Sequence, residues 1–205
     1  MKNDTVCMEY TDEDDEFLDE FRLLIEDFAK WSEDVVEKPN YAYNGLAPCP
    51  FAKQAFNSGL VDLHITDSLD DVVGIKSVLD HDDPRVCIIL WTGWDDMTSD
   101  EFNSWVNETN ENHFGMWVMG FHPEAQENNA LPSFEGLIED DYGVIIVQSL
   151  ERLVFASDRL RKAGYYGKFG PEDMDYVNRR REIYIEWREQ IASKVISPVR
   201  MGEVN

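Results

Sequence analysis

Cysteine is scarce in this chain of 205 residues: Cys7, Cys49 and Cys87 are the only three, and no C-x-x-C pair occurs. So few, so scattered, they build neither a disulfide framework nor a cysteine zinc site. Long apolar runs are also missing. The longest, Val86 to Trp91, has the length of a strand and falls far short of the ~20 residues that a membrane span requires. The opening MKNDTVCMEY lacks the apolar core of a secretory signal. Positive charge is in short supply too, with 18 Lys and Arg against 42 Asp and Glu, a formal net charge of −24. Such a field repels phosphate backbones and anionic membrane surfaces, so neither direct nucleic-acid binding nor membrane association is expected. These absences together predict a soluble, cytoplasmic protein.

What is present is the material for a core. With 43% hydrophobic and 12% aromatic residues, global disorder is excluded, and a chain of this length buries enough surface to fold without metal or disulfide support. One domain is expected over residues 12–197, with a flexible N-terminus at 1–11 and a tail at 198–205. The charge is uneven. Residues 1–148 hold 33 acids and 7 bases, whereas 149–205 hold 9 acids and 11 bases. That asymmetry has two readings, a solvated surface that keeps the protein soluble or a face that binds a basic partner.

Patterning along the chain predicts the elements. Phe17, Phe21, Leu24, Phe28, Trp31 and Val35 recur at spacings of three and four, the single apolar stripe of a helix opened by the acids after Thr11. A short helix is expected at Phe51 to Asn57. Val61, Leu63 and Ile65 alternate with Asp62, His64 and Thr66, a strand with one wet face on which His64 falls. A helix capped by Ser68 follows, and then the buried strand Arg85 to Thr92. Thr98 and Glu101 form a capping box at the head of the next helix. Strands are expected at Gly115–Phe121 and Gly143–Gln148, and helices from Ser149 and from near Glu172, the last with Arg179, Arg180, Arg181 and Arg188 on its surface. This order predicts an α+β fold: a roughly four-stranded mixed sheet, ferredoxin-like or a related sandwich, with one antiparallel pair, helices packed on it and extra helices at both ends.

Two residues stand where chemistry is favoured. Cys49 precedes Pro50, a residue suited to the first helical turn, and the free backbone donors of a helix start lower a thiol's pKa. His122 follows the third strand directly and opens the long connection of residues 122–142, a place where a general base, thiolate partner or metal ligand can sit. Phe51, Phe121, Pro123 and Glu124 flank the two and are the candidate substrate-binding residues.

The segments Cys49-Pro50-Phe51-Ala52 and Phe121-His122-Pro123, with a strand, helix and buried strand between them, resemble the uncharacterised bacterial family known as domain of unknown function fourteen-fifteen. That resemblance implies that Cys49 and His122 occupy the family's motif positions, and Ala130 to Glu135 stands where the family carries an Arg-Ser-Pro-Tyr-Pro stretch. Cys-Pro-Phe-Ala also resembles the active-site turn of glutaredoxin-like and omega-class glutathione transferase proteins, where it follows the first strand of the domain.

Three functional classes follow. A thiol-dependent enzyme would use Cys49 as thiolate and His122 as base in a pocket roofed by residues 122–142. A non-catalytic acidic protein would bind a basic partner, with Cys49 and His122 structural. A metal-dependent enzyme would use His122 with carboxylates. No metal ligand set is assigned, because His64, His81, His113 and His122 show neither H-x-H nor H-E-x-x-H spacing, and no cofactor is implied.

Overall fold

Two uninterrupted apolar runs form the middle of the sheet, as strands with no polar face must. The computed structural model describes residues 12–111, 115–125 and 142–196, with side chains from 22 to 193. In it β2 (Val86–Trp91) and β4 (Gly143–Ser149) lie antiparallel, Val86 opposite Gln148 and Trp91 opposite Gly143. Outside β2 runs β1 (Val61–Thr66), parallel to it. Outside β4 runs β3 (Met116–Phe121), antiparallel, giving the order β1-β2-β4-β3.

The helices are α1 (Asp12–Trp31), α2 (Ala52–Asn57), α3 (Leu69–Val78), α4 (Ser99–Glu111), α5 (Leu150–Lys162) and α6 (Pro171–Ile196). Their order among the strands is the expected one, an α+β fold with a mixed sheet and additional helices at both ends. Where the sequence reading expects one antiparallel pair, the sheet has two, because β4 returns between β2 and β3.

Alternation along the strands makes three layers. Cys87, Ile89, Trp91, Met116, Val118, Ile145 and Val147 pack on Val72 of α3 and on Phe102 and Val106 of α4. On the opposite face Ile88, Leu90 and Val144 meet Phe28 and Trp31 of α1, while Trp117 meets Leu150 and Val154 of α5 and Ile183 and Tyr184 of α6. From Leu24 to Val35 the predicted stripe is core, with Leu24 and Val35 packed at its edge. After Trp31 the helix widens into one π-turn, Ser32–Val36.

Local signals hold where they were read. Thr98 and Glu101 close the capping box at α4, the Thr98 amide donating to Glu101 Oε2 at 2.9 Å and the Glu101 amide to Thr98 Oγ1 at 3.3 Å. Ser68 caps α3 by accepting the Asp70 amide at 3.2 Å. Gly120 is needed for close approach: a Cβ there would lie 2.5 Å from the Phe102 ring.

One assignment on α6 is corrected. Arg179, Arg181 and Arg188 are exposed, but Arg180 is buried, because Arg180 and Tyr184, four places apart on one helix face, both turn toward α5, where they meet Ser157 and Glu151.

Several expectations fall outside the described residues. These are Cys7 and the N-terminus 1–11, the side chains of Phe17 and Phe21, His113, residues 126–141 with Ala130 to Glu135, and the tail. Among the described residues no helix is long and apolar enough to cross a membrane.

Candidate functional site

Cys49 lies at the end of a loop tied to the α1 side of the molecule. Its amide donates to the Val36 carbonyl at 3.1 Å, and the neighbouring Pro48 carbonyl accepts the Tyr165 hydroxyl. The loop is built by Asn40, whose side chain accepts the Ala42 amide at 2.9 Å and whose own amide donates to the Leu46 carbonyl at 2.9 Å. Behind it stand Tyr43, Tyr165 and Phe169, with ring centroids 5.0–5.7 Å apart.

The helix that follows is short, and it starts at Ala52 with Phe51 at its cap position. Cys49 is therefore two residues outside the cap, farther from the helix end than the sequence predicts. Cys49 presents surface to solvent, yet the protein packed around it pushes the thiol up, and the Phe51 and Ala52 amides offset that only in part. The expected lowering is reversed: six residues of helix supply too little dipole to overcome desolvation.

His122 is on the other side of the sheet. Along β3 the residues Met116 and Val118 face α4, and His122, two places beyond Gly120, continues that parity. Its ring is 6.1 Å from Trp91, 5.7 Å from Trp94 and 5.7 Å from Phe102. It is 5% exposed, and every ring nitrogen is engaged. Nε2 lies 3.1 Å from the Trp94 carbonyl and 3.0 Å from the Met97 carbonyl, while Nδ1 accepts the Glu124 amide at 3.2 Å. With the Glu124 amide donating to Nδ1, Nε2 is left to face the two carbonyls. This imidazole clamps the turn before α4 to the end of β3.

Cys49 and His122 thus do not meet. One is fastened to the end of α1 and to the segment after α5, the other is packed against α4, and the sheet stands between them. The flanking residues do not converge either. Phe51 lies under the Arg159 guanidinium at 5.8 Å, Phe121 packs in the α1 cluster, Pro123 borders Gly143, and Glu124 is exposed. Among the described residues no group of three or more His, Cys, Asp and Glu is placed to hold a metal ion.

The chain has no match among family models, curated proteins or solved structures. Its own geometry is what bears on function.

Charge is where that geometry is distinctive. Residues 62–111, which supply β1, α3, β2, α4 and their connections, contain thirteen Asp and Glu and two cations, Lys76 and Arg85. Both cations are engaged. Lys76 is buried, its Nζ donating to the Thr109 carbonyl near the C-terminus of α4, and Arg85 is held by Asp62 at 2.8 Å and Asp83 at 2.7 Å. The exposed acids Asp70, Asp71, Asp95, Asp96, Asp100, Glu101, Glu108 and Glu111 far outnumber the one exposed cation of this stretch, Arg85, which is itself ion-paired.

In the opposite layer α1 holds nine Asp and Glu and two cations, while α5 and α6 are mixed. Arg181 pairs with Asp158, Arg179 with Glu182 at 3.5 Å and Arg188 with Glu151 at 3.6 Å. Buried Arg180 has no carboxylate within ion-pair distance among the described residues. Its Nη2 donates to Ser157 Oγ at 2.7 Å, its Nε has no hydrogen-bond partner, and burial pushes it below the usual arginine range. Nothing in the local sequence separates Arg180 from its two exposed neighbours except its position in the helical period.

Proposed function

We propose that this chain is a non-catalytic interaction protein whose α3/α4 layer docks on a cationic protein partner. The observation that supports this reading is the excess of carboxylates on that layer, where thirteen Asp and Glu stand against two cations, Lys76 buried and Arg85 ion-paired. An excess of one sign raises the encounter rate with an oppositely charged partner and rejects like-charged ones. The thiol-enzyme reading loses its motivation, since the base and the nucleophile lie on different faces and the thiol is pushed toward its protonated form.

A dodecalysine peptide titrated into the full chain tests the proposal. Asp95→Asn, Asp96→Asn, Asp100→Asn and Glu108→Gln together remove four carboxylates of the acidic layer, and Glu172→Gln, Glu182→Gln, Glu186→Gln and Glu189→Gln remove four from α6. Each surface ion pair is worth about 0.2–1 kcal/mol, so the first set should weaken binding by roughly tenfold or more and the second should have little effect. Equal losses from both sets would show that only the net charge acts, and the proposal would fail.

A further inference from the structure

β1 is an edge strand. β2 covers one of its sides, and among the described residues no strand lies on the other. The Val86 amide donates to the Leu60 carbonyl at 2.8 Å and the Thr92 amide to the Thr66 carbonyl at 3.0 Å. This register directs the backbone of Asp62, His64 and Thr66 toward β2 and that of Val61, Leu63 and Ile65 away from it. Three amides and three carbonyls are thereby presented along an open edge, the arrangement to which an extended chain can add.

The side chains follow the same parity. Val61, Leu63 and Ile65 pack toward the α1 face, so Asp62, His64 and Thr66 face the α3 side, as do their register partners Cys87, Ile89 and Trp91. Between this edge and α3 runs an open groove of about 530 Å³, lined by His64, Thr66, Asp70, Asp71, Gly74 and Val78 among others. Val78 is 82% exposed and forms an apolar ledge. Asp71 is held in place by the Thr66 hydroxyl at 2.6 Å, and Asp70 is exposed in the first turn of α3.

Gly74 is the residue that fold stability does not explain. It stands inside α3, where glycine weakens a helix relative to alanine. No close packing demands it, because nothing lies within 4 Å of the position its Cβ would take. The missing side chain leaves room on the groove wall for another backbone to approach.

We propose that the β1 edge and the flank of α3 form a docking groove for an extended cationic segment of a partner protein, which adds as a fifth strand beside β1 with alternate Lys or Arg side chains directed at Asp70 and Asp71. This rests on the cationic-partner reading above and locates the partner's contact within the acidic layer. A second copy of this chain is a poor occupant, since each carries a net charge of −24. A cationic strand instead matches both the open backbone edge and the charge beside it. Ladder hydrogen bonds supply affinity, and alternate side chains supply specificity.

The test uses an acetylated, amidated octapeptide of alternating Lys and Val, labelled for fluorescence anisotropy and titrated into the full chain at low salt. Two further peptides carry N-methyl groups on alternate residues, one in each register. Only one of these registers blocks the donors that face β1. Saturable binding is expected. It should weaken about tenfold for the blocking register and stay unchanged for the other, since two or three lost hydrogen bonds together have that size. Gly74→Leu should fill the groove and weaken binding about tenfold or more, and Asp70→Asn about two- to fivefold. Gly74→Ala should melt above the wild type, which shows that the position tolerates a side chain.

Binding that is indifferent to both N-methyl registers and to Gly74→Leu, yet falls when Asp95, Asp96, Asp100 and Glu108 are neutralised, would overturn the groove and leave the acidic face standing. Failure of every cationic probe to bind would overturn both readings. Sedimentation showing a dimer that Gly74→Leu dissociates would assign the edge to self-association and overturn the proposal.

Discussion

Lys76 supplies a test of how the acidic layer is assembled. It sits in the last turn of α3 at 4% exposure and donates to the Thr109 carbonyl of α4. Burial disfavours its charged form and pushes the ammonium down from 10.5 to about 8. Below pH 8 both the folded and the unfolded chain carry the proton, and the folded state bears the full cost of burying it. As pH rises from about 8 toward 10.5, the folded chain releases a proton that the unfolded chain still holds, so stability increases through that window.

At about 1.4 kcal/mol for each tenfold change in proton affinity the cost is about 3 kcal/mol. Losing the hydrogen bond to Thr109 offsets about 1 kcal/mol of what removal would gain. Lys76→Met keeps the length of the stem and removes the charge. It should therefore stabilise the protein at pH 7 by about 2 kcal/mol, and the gain should disappear by pH 10. Urea denaturation of both proteins at pH 7 and pH 10, with the slope of the transition unchanged, measures this directly. A variant less stable than wild type at pH 7, by an amount that does not change at pH 10, would show that burial places no cost on this ammonium.

Three other outcomes follow from contacts already described. Gly120→Ala drives a methyl into the Phe102 ring and should cost about 1–3 kcal/mol, read as a lowered urea midpoint. Thr98→Ala removes the hydroxyl and should cost about 1 kcal/mol. The Thr98 amide, and then its hydroxyl, hold the Glu101 carboxyl below the usual range. The stabilisation this gives is present above the unfolded value of about 4.3 and is lost as pH falls through the lower folded value, so the difference between wild type and Glu101→Gln should shrink on acidification. Iodoacetamide labelling of Cys49, followed by peptide mass mapping, should give a pH–rate midpoint above about 8.5, with the same profile in His122→Gln. A midpoint near neutrality that moves in that variant would reinstate the pair.

Most of the element order was legible because it depends on local signals. The alternation in Val61 to Thr66, the apolar runs of β2 and β4, and the Thr98–Glu101 box each specify their structure over a few residues. The place of β4 between β2 and β3 was not, because sheet order is decided by pairings across more than fifty residues. In retrospect the two runs without a polar face mark the two central strands.

The candidate site failed on parity. Phe121 and His122 are adjacent in an extended strand and must point to opposite faces. The side that buries Gly120 against α4 therefore also takes His122, while Cys49 follows the helix that covers the other face. The groove beside β1 was half visible: His64 falls on the wet face as expected, but the significance of Gly74 depends on the empty space around it, which no sequence pattern records.

The acidic layer raises the question of how thirteen carboxylates and two cations coexist with a stable fold. Part of the answer is position. Asp70 and Asp71 lie in the first turn of α3, Asp100 and Glu101 in the first turn of α4, and Asp95 and Asp96 in the single 3₁₀ turn before it. An acid in a first turn is favoured by the helix dipole, so the local term is favourable while the summed field is repulsive. At physiological ionic strength the screening length is about 8 Å, comparable to the distance between neighbouring turns, and the repulsion is only partly quenched. Salt should then act with opposite signs on two measurements. Raising NaCl from 50 to 500 mM should increase the thermal midpoint of the free protein, because it relieves repulsion within the layer, and should weaken binding of a cationic peptide, because it screens attraction across the interface. If both changed in the same direction, the face would not be the source of both effects, and the charge would act only as bulk solvation.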